Sequence, residues 1–203
     1  MAKTFLDAIN QAENNNGPVI SVPDGTITLV DTASVQTLTN QTLTGVVLTG
    51  ATNQGTTPVN VTTTPVTLSA ATHGGKITTM SLASGVAFTL PAATGSGVEF
   101  QIATLITLTS ATATIKVANA QDYMIGLAYL MQDGGDTISG FATANSGTVA
   151  TESDTITLTG ATWTTGGIKG GQIRLVDIAA NIWLVSVSSD AANAEATPFS
   201  ATV

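Results

Sequence analysis

Between Asp31 and Lys76 the chain contains no Asp, Glu, Lys or Arg; Thr, Val, Leu, Gly, Asn and Gln carry most of the run. Its centre, Thr37-Leu38-Thr39-Asn40-Gln41-Thr42-Leu43-Thr44, partly repeats Thr-Leu-Thr. Branched Cβ atoms fit a pleated strand better than a helix. A stretch without ionisable groups cannot arrange acid, base or metal ligands around a reacting bond. What it offers is backbone hydrogen bonds and small apolar faces, the means by which extended chains lie against other chains.

The rest of the chain is scarcely richer in charge. Of 203 residues 9% are charged and 4% aromatic, against 43% hydrophobic. A soluble domain ordinarily carries about a quarter charged residues. So sparse a charge gives little defence against self-association, and burial in an oligomer or larger assembly is the expected remedy. The net charge is −8, and the five basic residues, Lys3, Lys76, Lys116, Lys169 and Arg174, are scattered. They form no stripe that tracks phosphates, so no nucleic-acid partner is expected.

The chain has no cysteine, which excludes disulfides and thiolate metal sites. Met1-Ala2-Lys3-Thr4-Phe5-Leu6-Asp7 lacks the long apolar run of a secretory signal. No uninterrupted apolar stretch reaches the ~18 residues of a membrane span. The expectation is a protein made in the cytosol, soluble there, with no membrane partner.

Along the chain, Thr4 to Asn14 reads as a short helix or a tail, with Phe5, Leu6 and Ile9 on one side. Asn14-Asn15-Asn16-Gly17-Pro18 stops it. Val19 to Val22, the turn Pro23-Asp24-Gly25 and Thr26 to Val30 read as a hairpin. Residues 32–64, with short strand-like pieces such as Val46-Val47-Leu48, read as an extended arm.

From Pro65 onward period-two alternation becomes dense. Strands are expected at residues 65–68, 76–80, 86–91, 98–103, 113–117, 123–131, 137–141, 155–158, 172–177 and 182–187, with turn residues between them. The fold class expected is all-β: an N-terminal arm with short β-segments over residues 1–64, then a β-sandwich or jelly-roll-like domain over 65–203. No helical pattern alternates with the strands, which speaks against a parallel α/β fold.

Residues that carry chemistry are few. His73, the only histidine, sits beside Gly74-Gly75 and reads as a solvated turn residue without an acidic neighbour. The close carboxylate pairs are Asp133 with Asp136 and Glu152 with Asp154. Paired carboxylates can cleave glycosides, but Asp in Gly- and Ser-rich turns ordinarily bonds the local backbone. Gln132 to Thr137 falls short of the roughly six to eight oxygens and regular spacing that calcium requires. Thr94-Gly95-Ser96-Gly97 lacks the lysine and following helix of a phosphate loop. No catalytic, cofactor-binding or metal residue is therefore expected, and no cofactor.

Candidate interface residues are Phe5, Leu6 and Ile9 near the start, Leu38, Leu43, Val46 and Leu48 in the arm, and Trp163 and Phe199 in the domain. Trp163, in a Gly- and Thr-rich turn region, is a contact anchor or a cover for the sheet end. Phe199, behind Pro198, staples the last segment to a neighbouring subunit or to its own sheet.

Thr37 to Thr44 resembles the Thr-Leu-Thr-Asn-Lys-Thr-Leu-Thr element of phage fibre-type proteins, with Gln41 in the place of the lysine. Thr89 to Gly97, Ile115 to Ala120, Asp154 to Leu158 and Glu195 to Ser200 are similar to stretches of small phage proteins of the head decoration (cement) and head-fibre type. The resemblance implies a non-enzymatic, β-rich homotrimer on the outer capsid surface of the virion, partnered by the major capsid protein and stabilising contacts between coat subunits. The alternative it implies is a trimeric head or tail fibre whose tip binds host-surface carbohydrate. The acidic balance of the chain fits the outer face of a shell, away from packaged DNA.

Overall fold

The computed structural model describes residues 57–132 and 137–203. The expected helix, hairpin and arm upstream of residue 57 lie outside the described residues, as do Asp133 and Asp136. The strands are β1 (Val59–Val61), β2 (Val66–Thr67), β3 (Ile77–Met80), β4 (Ala87–Thr89), β5 (Glu99–Thr104), β6 (Ala113–Lys116), β7 (Tyr123–Gln132), β8 (Ile138–Ala142), β9 (Thr155–Leu158), β10 (Gln172–Ala179), β11 (Ile182–Ala191) and β12 (Phe199–Ser200). A four-residue helix α1 (Ala70–His73) and a 3-10 turn (Val149–Thr151) are the only helical pieces among the described residues.

The strands form two mixed sheets. The larger has the order β1-β3-β5-β10-β11-β7-β8 and the smaller β12-β9-β6-β4-β2. From β1 to β6 the chain visits the sheets alternately, and each strand lies parallel to the one two before it. Parallel neighbours need a crossover, usually a helix; here each crossover contains a strand of the opposite sheet. β7 then runs parallel to β11 over ten residue pairs, from Tyr123↔Ile182 to Gln132↔Ala191. The β5–β10, β10–β11, β7–β8, β6–β9 and β9–β12 pairs are antiparallel. A jelly roll is built from antiparallel pairs, so the mixed pairing departs from that expectation. Alternating side chains specify which face a residue occupies, not the direction of the neighbouring strand.

A single hydrophobic cluster draws on both sheets: Phe88, Ile115, Ile156 and Leu158 from the smaller, and Phe100, Ile102, Leu175, Trp183, Val185 and Val187 from the larger. β11 shows the rule that builds it. Trp183, Val185 and Val187 are buried while Leu184, Ser186 and Ser188 are exposed, as alternate positions of a strand require. The Trp183 and Phe100 rings lie 5.8 Å apart at a tilt of 35°, within the range of favourable aromatic pairing. At Gly126 of β7, φ is 152° and a Cβ would collide with the carbonyl oxygen of Val185 on β11, so this close parallel approach requires glycine.

Two expectations are corrected. β1 pairs with β3, so the folded unit begins upstream of the boundary expected at residues 64 and 65. His73 is not solvated. It is buried, and its Nδ1 accepts the backbone N–H of Ser69 at 3.1 Å, which explains how a turn histidine is held inside. Among the described residues no helix is long and apolar enough to cross a membrane.

Candidate functional site

β7 is apolar at both parities, so its outward positions are apolar too. Leu127, Tyr129 and Met131 project from the outer face of the larger sheet at 46%, 50% and 47% exposure, and Ile138 of β8 joins them at 61%. Cross-strand register puts Met131 opposite Ile138 and Tyr129 opposite Gly140, with Leu127 opposite Ala142. Leu184 of β11 extends the strip, next to Ile125. This is a contiguous apolar surface at the β8 end of a regular sheet. Isolated exposed hydrophobics are ordinary; a connected group of them marks an interaction surface.

The same face turns polar toward β10 and β5. Glu99 accepts from Arg174 Nε at 2.9 Å and Nη2 at 2.7 Å, and from Gln101 Nε2 at 2.7 Å. The Arg174 and Gln101 hydrogen bonds hold the Glu99 carboxyl below its ordinary range, and Glu99 in turn raises Arg174. A shallow cleft of about 360 Å³ runs beside them, lined by Ile77, Gln101, Gln172, Arg174, Ser186 and Ser188. A second, of about 200 Å³, lies where the apolar strip meets Lys169, Ser188 and Asp190.

The buried carboxylates accept hydrogen bonds from the chain itself, with Asp122 Oδ1 the one oxygen among Asp122, Glu152, Asp154 and Asp177 that is buried without a partner among the described residues. Asp177 accepts the N–H groups of Thr94, Gly95 and Ser96 at 3.0, 2.7 and 3.0 Å, and the Thr94 and Ser96 hydroxyls at 3.1 and 2.7 Å. Burial pushes its pKa up, but the hydrogen bonds from Ser96, Gly95 and Thr94 outweigh this and bring it down to about 2. The loop resembling a phosphate cradle thus does hold an anion, the side chain of Asp177. Glu152 accepts the N–H groups of Ser146 and Gly147 at 2.8 and 2.7 Å. Asp154 accepts those of Thr202 and Val203, at 2.8 and 2.9 Å, fixing the last residues. Asp122 receives Ala93 N–H at 3.1 Å and the Asn119 amide at 3.0 Å. Among the described residues no three His, Cys, Asp or Glu side chains group closely enough to hold a metal.

Of the candidate interface residues, Phe5, Leu6, Ile9, Leu38, Leu43, Val46 and Leu48 lie outside the described residues. Trp163 is half-buried at a left-handed φ of 49°, and its indole Nε1 donates to the Leu108 carbonyl at 2.6 Å. That bond ties it to its own chain. Phe199 is buried on β12, paired with Ile156 as part of the core. The structure thus fastens Phe199 to its own sheet and leaves little of it to meet a neighbour.

Leu127, Tyr129, Met131 and Ile138 were missed as surface residues. The signal was present: a strand with one wet face alternates apolar with polar, and the run from Tyr123 to Met131 does not. Such a run reads equally as a strand buried on both faces. Only the position of β7, with nothing over its outer face among the described residues, separates the two. Comparisons with protein-family models, with curated proteins and with solved structures found no match.

Proposed function

We propose that the protein is a structural component of a bacteriophage virion, a capsid decoration (cement) protein that binds the outer shell in many copies and bridges coat subunits. The observation that carries this reading is the apolar strip of Leu127, Tyr129, Met131 and Ile138, held at the surface of a regular sheet. A surface of this kind gains from being covered, at roughly 25 cal/mol per Å² of apolar area removed from water. The scarcity of charge along the chain and its resemblance to small phage head proteins support the same reading. In it the two sheets are the layers of a β-sandwich, with the core between them and the strip facing the shell.

The test is binding to purified capsids that lack the protein. The chain should co-sediment with them and raise the temperature at which they release DNA. Met131→Asp with Ile138→Asp should abolish co-sedimentation by placing unpaired charges in the contact, while leaving the melting temperature of the isolated protein within a few degrees. Capsids that neither bind the protein nor gain heat resistance would sink the proposal.

The cleft beside Tyr129 favours a second reading, a fibre whose tip binds host carbohydrate. There an exposed ring adjoins Lys169, Ser188 and Asp190, a stacking face next to hydrogen-bonding groups of both kinds. A Tyr129→Ala variant that still binds shells but loses adsorption to host cells would select it over the first.

A further inference from the structure

We propose that β8 pairs edge to edge with β8 of a second copy of this chain, antiparallel and centred on Gly140. β8 ends the larger sheet, and among the described residues it pairs only with β7. Thr143 donates its N–H to Gly126, and Gln132 donates to the Thr137 carbonyl, at 3.1 and 3.2 Å. These bonds turn the odd-numbered residues of β8 toward β7. Ile138, Gly140 and Ala142 therefore turn their N–H and C=O groups away from β7, to a side with no partner strand among the described residues.

Natural sheets blunt such an edge with lysine, proline or a bulge. Ile138-Ser139-Gly140-Phe141-Ala142 contains no charge and no proline, and its pairing with β7 is unbroken. The segment is also its own complement. A two-fold axis at Gly140 puts Gly140 against Gly140 and Ile138 against Ala142, large against small on one face. All three positions then form pairs that exchange two hydrogen bonds each. Two-fold contacts are isologous, so each strand must fit itself; this one does.

Charge does not oppose a copy meeting here. Ile138 to Ala142 carries no charged residue, and the carboxylate that touches it, Glu195, accepts from the Ser139 hydroxyl at 3.4 Å, on the face opposite Ile138 and Gly140. Strand addition alone buries less than the ~1,200 Å² of a standard interface, so the dimer forms with increasing concentration rather than permanently. Pairing also joins the two apolar strips across the axis into one band. The contact is two-fold, unlike the homotrimer that the phage resemblance implies. It needs no virion, so its failure and that of the proposed function are separable.

Full-length protein carrying Gly140→Cys provides the test. A Cβ at Gly140 meets nothing within 4 Å, and the chain has no other cysteine. Across the axis the two Cα atoms lie about 5.5 Å apart, within disulfide range. The two Ala142 positions lie about 14 Å apart, beyond it. Mild oxidation should give a covalent dimer with Gly140→Cys and none with Ala142→Cys. In sedimentation equilibrium the unmodified chain should dimerise with concentration, and Gly140→Lys should remain monomeric with an unchanged circular dichroism spectrum. An unmodified chain that is monomeric or trimeric throughout, a Gly140→Lys variant that dimerises normally, or equal crosslinking at both positions would overturn the pairing.

Discussion

At Asp177 one carboxylate collects three backbone N–H groups and two hydroxyls, fixing the Thr94–Ser96 loop against β10. Asp177→Asn keeps the shape but sets an NH₂ donor among donors. It should cost about 3 kcal/mol, the scale of hydrogen bonds to a charged group lost from a buried site. The pH dependence follows from the sign of the shift. The folded pKa is lowered from 3.8 to about 2, so the stabilisation is complete above the unfolded value and is lost as pH falls through the folded one. Between pH 4 and 2 the wild type should lose about 1.8 kcal/mol that Asp177→Asn does not, measured as the difference between their urea midpoints.

Little of this was legible in the sequence. Thr94-Gly95-Ser96-Gly97 reads as a loop, but its partner stands 83 residues from Thr94. Glu152 does what its local context predicts, bonding the backbone at Ser146 and Gly147. Asp154, two residues on, instead reaches the end of the chain.

Among the elements, those long enough to show two or three alternations were legible. The expected strands at residues 98–103, 113–117 and 172–177 match β5, β6 and β10 within two residues at either end. β1 and β12, three and two residues long, are too short for a period to emerge. Partner and direction were not legible, because either sheet accepts the same alternation. Phe199 belongs to this scale, since β12 is held mainly by its burial and its pairing with β9. Phe199→Ala should lower the stability of the isolated chain by about 3–5 kcal/mol, as removal of a core aromatic does. A melting temperature unchanged from the wild type would return Phe199 to the role of an external staple.

For the whole molecule, the proposed pairing of two copies sets net charge against a neutral apolar strip. Copies carrying −8 each repel through solvent, and salt screens that repulsion over about 10 Å at 0.1 M. Self-association should therefore tighten as ionic strength rises from about 0.01 to 0.15 M, the opposite of a protein bound to phosphates. Sedimentation velocity across that range reads the trend directly; association that weakens with added salt would place the contact on charged groups instead. The candidate surface could be read only at this scale, because an apolar strand becomes an interface only once its uncovered side is known.

The winding of β1 to β6 between the sheets has a consequence for how the molecule comes apart. Neither sheet there is a continuous piece of polypeptide, and a protease cutting between β2 and β6 cannot release one sheet intact. Both would be left short of strands at once. Under heat or force the two sheets have no order in which to fail, and they should surrender together in a single event.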